Sequence, residues 1–141
     1  MIKKYNKGYT TGVFDLFHVG HLNILKKSKE LCNHLVVGVT TDELVSYKNT
    51  EAFVSFEERI QIVESIKYVD EVCAQENMNK MEAWKNIKFD VVFVGSDWKN
   101  TEKWNKIEKK FNHIGVDVIY FDYTITTSST KIRQKINMSN E

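Results

Sequence analysis

The chain lacks most of the features that place a protein quickly. Proline is absent from all 141 residues, a compositional oddity to which no structural reading attaches. There are two cysteines, Cys32 and Cys73. They lie far apart, are flanked by apolar residues, and read as buried, reduced thiols of a cytoplasmic protein, not as a disulfide or a metal pair. The four histidines make no zinc spacing, with His34 and His113 isolated. No apolar run approaches the roughly 18 residues of a membrane-spanning helix. The basic start, residues 1–7, is followed by no apolar h-region, so a signal peptide is not expected. An excess of one charge is missing too: 20 Lys and Arg against 19 Asp and Glu leave +1, which removes the global electrostatic case for a nucleic-acid partner. Linkers, internal repeats and low-complexity blocks are also lacking.

What remains is ordinary globular material. Hydrophobic residues make up 42% and charged residues 28%, which fits a soluble protein. The length suits one domain, 1–141, with an adequate core. Short β-rich runs alternate with helical patterns. Strands are expected at 9–14, 35–40, 71–74, 91–95 and 117–121, and helices at 21–31, 56–66, 79–87, 101–111 and 129–136. The runs Leu35-Val36-Val37-Gly38-Val39 and Val91-Val92-Phe93-Val94 are nearly continuous in apolar residues, the mark of strands buried on both faces. Ser55-Phe56-Glu57-Glu58 has the form of a capping box, and Phe56, Ile60, Val63 and Ile66 follow at helical spacing as a core stripe. This order predicts an α/β fold: a Rossmann-like, doubly wound, mostly parallel five-stranded sheet with helices on both faces. Ligands of such folds bind beyond the carboxyl ends of the strands, at the switch point.

The most informative stretch sits where that rule points: Gly12-Val13-Phe14-Asp15-Leu16-Phe17-His18-Val19-Gly20-His21. A strand ends, the chain turns, and two histidines fall where a helix begins. Helix N-termini carry unpaired N–H groups and partial positive charge, so they suit phosphate. Two imidazoles three residues apart, with Gly20 between them, can face one anion.

Further candidates lie at other strand ends and helix starts. Thr40-Thr41-Asp42-Glu43-Leu44 leads into a polar stretch containing Lys48, which reads as a loop lysine able to clamp phosphate. Arg59 follows Glu58 and can project off the core face of its helix. Lys67 and Asp70 flank the entry to the third strand. Gly95-Ser96-Asp97-Trp98 ends the fourth strand, with a glycine that permits close approach, an aspartate for a ribose or base, and a stacking indole. The hydroxyl-rich run Thr124-Ile125-Thr126-Thr127-Ser128-Ser129-Thr130 opens the last helix, where hydroxyls cap N–H groups or join them in holding phosphate.

Taken together, G-V-F-D-L-F-H-V-G-H, L-V-V-G-V-T-T-D-E, the Lys48 loop, F-E-E-R, K-Y-V-D-E-V, V-G-S-D-W and S-S-T-K-I resemble the small bacterial cytidylyltransferases, nearest their glycerol phosphate branch. The resemblance spans residues 9–136. It implies a homodimer that joins CTP to a phosphorylated alcohol and releases pyrophosphate, with magnesium or another divalent cation whose protein ligands it leaves unassigned. It gives His18, His21 and Lys48 the catalytic contacts to phosphate. Gly12, Val13, Phe14, Asp15, Gly20, Lys67, Asp70, Gly95, Asp97, Trp98, Ser128, Ser129 and Thr130 would bind the nucleotide, and Arg59 and Tyr123 the acceptor. Direct in-line attack needs no general base, because a phosphate monoester is already nucleophilic near neutral pH; its second pKa is about 6. Positioning and charge stabilisation would carry the chemistry.

The chain departs from the family pattern at Val13, where threonine or isoleucine is usual, and at Lys67, where arginine is usual. Thr50 replaces a second lysine near Lys48. The common R-T-E-G-I-S-T run is replaced by one beginning at Tyr123, without its arginine and glycine. Glycerol phosphate, another polyol phosphate, phosphoethanolamine and phosphocholine therefore stay open as acceptors. An adenylyltransferase on the same motif and a nucleotide-binding protein without turnover are the competing readings.

Overall fold

The computed structural model describes residues 3–47, 51–122 and 129–139. In chain order the elements are β1 Tyr5–Gly12, α1 Val19–Leu31, β2 Cys32–Thr40, α2 Asp42–Tyr47, α3 Phe56–Glu64, β3 Glu71–Gln75, α4 Lys80–Ile87 and β4 Val91–Gly95. A 3-10 turn at Ser96–Trp98 follows, then α5 Glu102–His113, β5 Asp117–Phe121 and α6 Ser129–Ser139. The five strands form one sheet in the order β3-β2-β1-β4-β5, and every pairing is parallel. The expected α/β architecture is therefore observed. β1 is central, and the chain crosses to its other side at β4, so the switch point lies between β1 and β4.

Residue parity explains how the apolar runs serve two faces. Leu35, Val37 and Val39 point to one side and pack with Leu25 of α1, Val63 of α3, Val91 and Phe93. Val36 and Val92 point to the other, where Tyr9, Phe89, Phe111 and Val116 meet residues of α4 and α5. Successive strand side chains alternate between faces, so an unbroken apolar run needs a helical layer on each.

The elements begin and end close to expectation, with instructive exceptions. β4 and β5 occupy the expected 91–95 and 117–121. β1 starts at Tyr5, four residues early, because its polar residues pair along β2 from Tyr5–Cys32 onward. It stops at Gly12, before the expected end at 14, because the backbone turns there. Helix α2 replaces part of the loop expected after β2. Ser55 caps α3 as expected, accepting the Glu58 N–H at 3.4 Å. Cys32 is buried, whereas Cys73 is half-buried; both are free thiols.

Candidate active site

The loop from Val13 to Phe17 is strained and then clamped. Phe14 and Leu16 adopt left-handed backbone conformations, with φ of 55° and 51°, which cost side-chain-bearing residues about 1–2 kcal/mol each. Gly12 makes room: a Cβ there would lie 3.0 Å from the Phe14 ring. Between the two strained residues sits Asp15, only 1% exposed. Its carboxylate accepts the N–H groups of Phe53 at 2.9 Å and Val54 at 3.0 Å, and the Arg133 guanidinium at 2.6 Å. Its carbonyl accepts the Ser129 hydroxyl at 2.7 Å. Burial pushes the Asp15 pKa up, but these partners outweigh it and hold the carboxyl below its ordinary range. The motif loop is thereby tied both to the segment before α3 and to α6.

The two histidines form a reciprocal cap on α1. His18 is the N-cap; its Nδ1 accepts the Gly20 N–H at 3.0 Å. His21 Nδ1 in turn accepts the His18 N–H at 3.2 Å. This is the geometry of a capping box, built from imidazoles in place of serine and glutamate. Both Nδ1 lone pairs are engaged by backbone donors, so the proton of each neutral ring resides on Nε2. Burial lowers the pKa of His18. It lowers that of His21 to about 4, aided by His18 and opposed by Asp15. At neutral pH the pair therefore offers two N–H donors, not two cations, with ring centres 4.1 Å apart.

Beside this pair a cavity of about 370 Å³ opens over the carboxyl ends of the strands. The β4 side is lined by Gly95, Trp98, Lys103 and Trp104, and the β2–β3 side by Thr40, Gln75, Met78 and Lys80. Thr10 to Asp15, His21, Ser129 and Arg133 line the middle.

The structure gathers some of the expected site residues and disperses others. Gly12, Val13, Phe14, Asp15, His21, Gly95, Trp98 and Ser129 line the cavity. Gly20 is buried in the first turn of α1 and His18 stands beside His21. Asp97 and Thr130 are exposed and are not among the lining residues. Lys48, Tyr123 and Ser128 lie outside the described residues.

Three expectations need correction. Arg59, expected to bind the acceptor, is fully buried. Its guanidinium donates to the carbonyls of Val13 and Thr40, both at 2.7 Å, and to Asp42 at 2.6 Å, while Nε donates to Val54 at 2.9 Å. It holds the floor of the site together and presents no face to a ligand. Lys67 and Asp70, expected to bind nucleotide, lie at the amino ends of the strands. Asp70 accepts the Leu35 N–H at 2.8 Å and pairs with Lys29 at 2.6 Å. Leu35 is level with Gly8 in β1, four residues before Gly12 and roughly 13 Å back along the strand. Lys67 is exposed, with its ammonium 5.2 Å from the Tyr68 ring centre.

Sequence reasoning missed Lys80 and Arg133. Arg133 looks like one more surface cation on α6, and nothing in its local pattern separates it from its neighbours. Lys80 did leave a signal. A cation in the first turn of a helix opposes the helix dipole, so a lysine there invites a search for a partner.

A family profile described as cytidylyltransferase-like matches residues 9–135. The chain is 37% identical over 133 residues to a glycerol-3-phosphate cytidylyltransferase of Bacillus subtilis, covering 92% of this chain and 96% of that one. It is 39% identical over 131 residues to an FAD synthase of Thermococcus kodakarensis, covering 89% and 87%. Among solved structures, a lipopolysaccharide core biosynthesis protein from Thermoplasma volcanium superposes with a TM-score of 0.71 at 28% identity, covering 85% of this chain and 97% of that one.

Proposed function

Because the chain belongs to the cytidylyltransferase-like family and is a nucleotidyltransferase, we propose that it transfers CMP from CTP to a phosphorylated polyol such as glycerol phosphate, releasing pyrophosphate. The observation that carries this reading is the His18–His21 capping pair. Two neutral Nε2–H donors at a helix N-terminus suit the phosphate chain of a nucleotide. They strengthen as charge develops on the departing pyrophosphate, and such preorganised donors typically contribute 10²–10³ in rate.

The reaction is an in-line displacement at the α-phosphorus. The acceptor's phosphate oxygen forms the new bond, the bond to the bridging oxygen breaks, and the electron pair leaves with pyrophosphate. Ser129 and the N-terminal turns of α1 and α6 border the phosphates, and Arg133 adds positive charge from the rim. Trp98, beyond Gly95, offers a face to the base. Lys48 and Ser128 join the phosphate contacts in this reading, and Tyr123 the acceptor.

Among the described residues no cluster of three or more His, Cys, Asp or Glu gathers to hold a metal, and Asp15 is committed to Arg133. That donor set fits a magnesium ion carried in on the triphosphate, since magnesium is commonly held by substrate phosphates and water. When bound, the ion would neutralise charge on the phosphates.

The cavity also bears on the acceptor. Its charged lining residues among those described are Lys80, Lys103, Arg133 and Asp15, and the one carboxylate is already paired. That carboxylate is not free to pair with the primary ammonium of phosphoethanolamine, which favours a polyol phosphate over that acceptor. A second reading, adenylyl transfer, is raised by the FAD synthase relatives; G-S-D-W, whose Gly95 and Trp98 line the cavity, favours CTP. The family resemblance extends the proposal to a cytoplasmic homodimer serving a cell-surface polymer. No described helix is long and apolar enough to cross a membrane.

The test is pyrophosphate release with magnesium, crossing CTP and ATP against phosphorylated polyols, phosphocholine, phosphoethanolamine and flavin mononucleotide. CTP with a polyol phosphate is the expected pair. Turnover confined to ATP moves the chain to the second reading, and CTP binding without turnover on any acceptor overturns the enzymatic proposal.

A further inference from the structure

Trp104, in the first turn of α5, is 5% exposed yet belongs to neither of the apolar clusters that flank the sheet. It lines the β4 half of the cavity instead. A buried indole normally spends its N–H on a hydrogen bond. The Trp104 N–H has no such partner among the described residues. It is not sealed from solvent either, because the one sealed side-chain atom among them without a partner is Arg133 Nε. The N–H is therefore open, and for a residue this buried the opening is the cavity it lines.

Trp104 is also held in a fixed relation to Trp98. The Thr101 hydroxyl donates to the Trp98 carbonyl at 2.8 Å and accepts the Trp104 backbone N–H at 3.3 Å. One residue thus caps α5 and ties it to the 3-10 turn at Ser96–Trp98. Trp98 is 41% exposed and can offer a stacking face, whereas Trp104 offers one donor at a set place. The other side chains of this half add no acceptor. Lys103 carries an ammonium, and Phe93, Val94 and Ile107 carry no polar atom. A wall of donors suits a group that only accepts, such as a ring carbonyl with its two lone pairs. Cytosine carries one at C2. Adenine carries none, only ring nitrogens and an amino group.

Resting on the nucleotidyltransfer reading above, we propose that the Trp104 indole N–H donates to the 2-carbonyl of a pyrimidine base stacked on Trp98, and so sets a preference for CTP over ATP. Trp104 then selects and orients the nucleotide. It takes no part in bond making at the α-phosphorus, which stays with the histidine loop.

The experiment compares wild type with Trp104→Phe, which keeps an aromatic ring and removes the donor. Dissociation constants for CTP, ATP and pyrophosphate are measured by calorimetry without acceptor, alongside thermal melts. CTP binding should weaken roughly three- to tenfold, the scale of one neutral hydrogen bond, while ATP and pyrophosphate stay within about twofold. Unchanged CTP binding overturns the contact, as does an equal loss for all three. A second readout is the indole N–H region of the NMR spectrum, where the chain has three tryptophans. The signal that disappears in Trp104→Phe should move downfield in wild type with CTP and stay in place with pyrophosphate. Should Trp104→Phe fail to fold, Trp84→Phe and Trp98→Phe assign that signal by elimination, and the same shift decides. If wild type binds and turns over ATP only, the CTP reading fails and this inference fails with it. If CTP binds without turnover on any acceptor, the enzymatic proposal fails alone, and binding and NMR still decide the indole contact. CTP turnover with an unmoved Trp104 signal overturns the inference alone.

Discussion

His21 accepts the backbone N–H of His18 at 3.2 Å, while the His18 ring closes the same turn on Gly20. One pair of side chains thus starts a helix and fixes its own tautomers. The two tasks separate by mutation. His18→Asn, a good N-cap, should leave the melting temperature near wild type and cut kcat at least a hundredfold. His18→Ala should lose the same rate and about 1 kcal/mol of stability as well. Near-normal turnover in either variant would remove the histidines from the chemistry.

Acid should destabilise the protein through His21. Its folded pKa is about 4, below the roughly 6.5 of an unfolded imidazole. Between those values the unfolded chain takes up the proton first. The contribution, up to ~3 kcal/mol, is therefore complete above about pH 6.5 and lost as pH falls towards 4. Urea titrations at pH 7.5 and 5 should show this loss in wild type and a flatter dependence in His21→Asn. Equal slopes would contradict the buried neutral ring.

Asp15→Asn should release α6. The variant removes the charge that Arg133 meets at 2.6 Å and leaves that guanidinium beside a neutral amide. A loss of about 2–3 kcal/mol is expected by chemical denaturation, with faster amide exchange across residues 129–138. A double cycle with Arg133→Met should show coupling above 1 kcal/mol, the range expected of residues in one network. Additivity would mean that the pair does not anchor the helix.

Arg59→Lys should behave as a structural lesion. Lysine cannot reproduce a fork that meets Val13, Thr40 and Asp42 together. The melting temperature should fall by several degrees, while acceptor KM in the folded protein stays within threefold. A selective rise in acceptor KM with unchanged stability would restore Arg59 to the ligand.

Much of this was legible in the sequence where one physical effect dominated. β4 and β5 read correctly because Val91–Gly95 and Asp117–Phe121 are bounded by polar residues and apolar within. The early start of β1 was hidden because Asn6 and Lys7 are held by strand pairing and by Asp90, which accepts the Lys7 N–H, not by burial of their own side chains. Helix α2 is too short for periodicity to show. The histidine motif could be found by its spacing, but its capping role depends on ring orientation, which spacing does not encode. Arg59 misled because a guanidinium beside a phosphate and one beside three backbone carbonyls look alike in one dimension. Lys67 and Asp70 adjoin a strand, but at the amino end, and only the sheet register reveals which end that is.

The clamp on Asp15 also sets an order of events during synthesis. Ser129 meets the Asp15 carbonyl across 114 positions of chain, and Arg133 meets its carboxylate across 118. The histidine loop and all five strands are made before α6 exists to hold it. A nascent chain can therefore pair its strands while the strained turns at Phe14 and Leu16 have only the Phe53 and Val54 N–H groups to hold Asp15. The clamped form of the histidine loop would then be the last part of the molecule to form, and a chain that stopped at Phe121 would have a complete sheet without a finished loop.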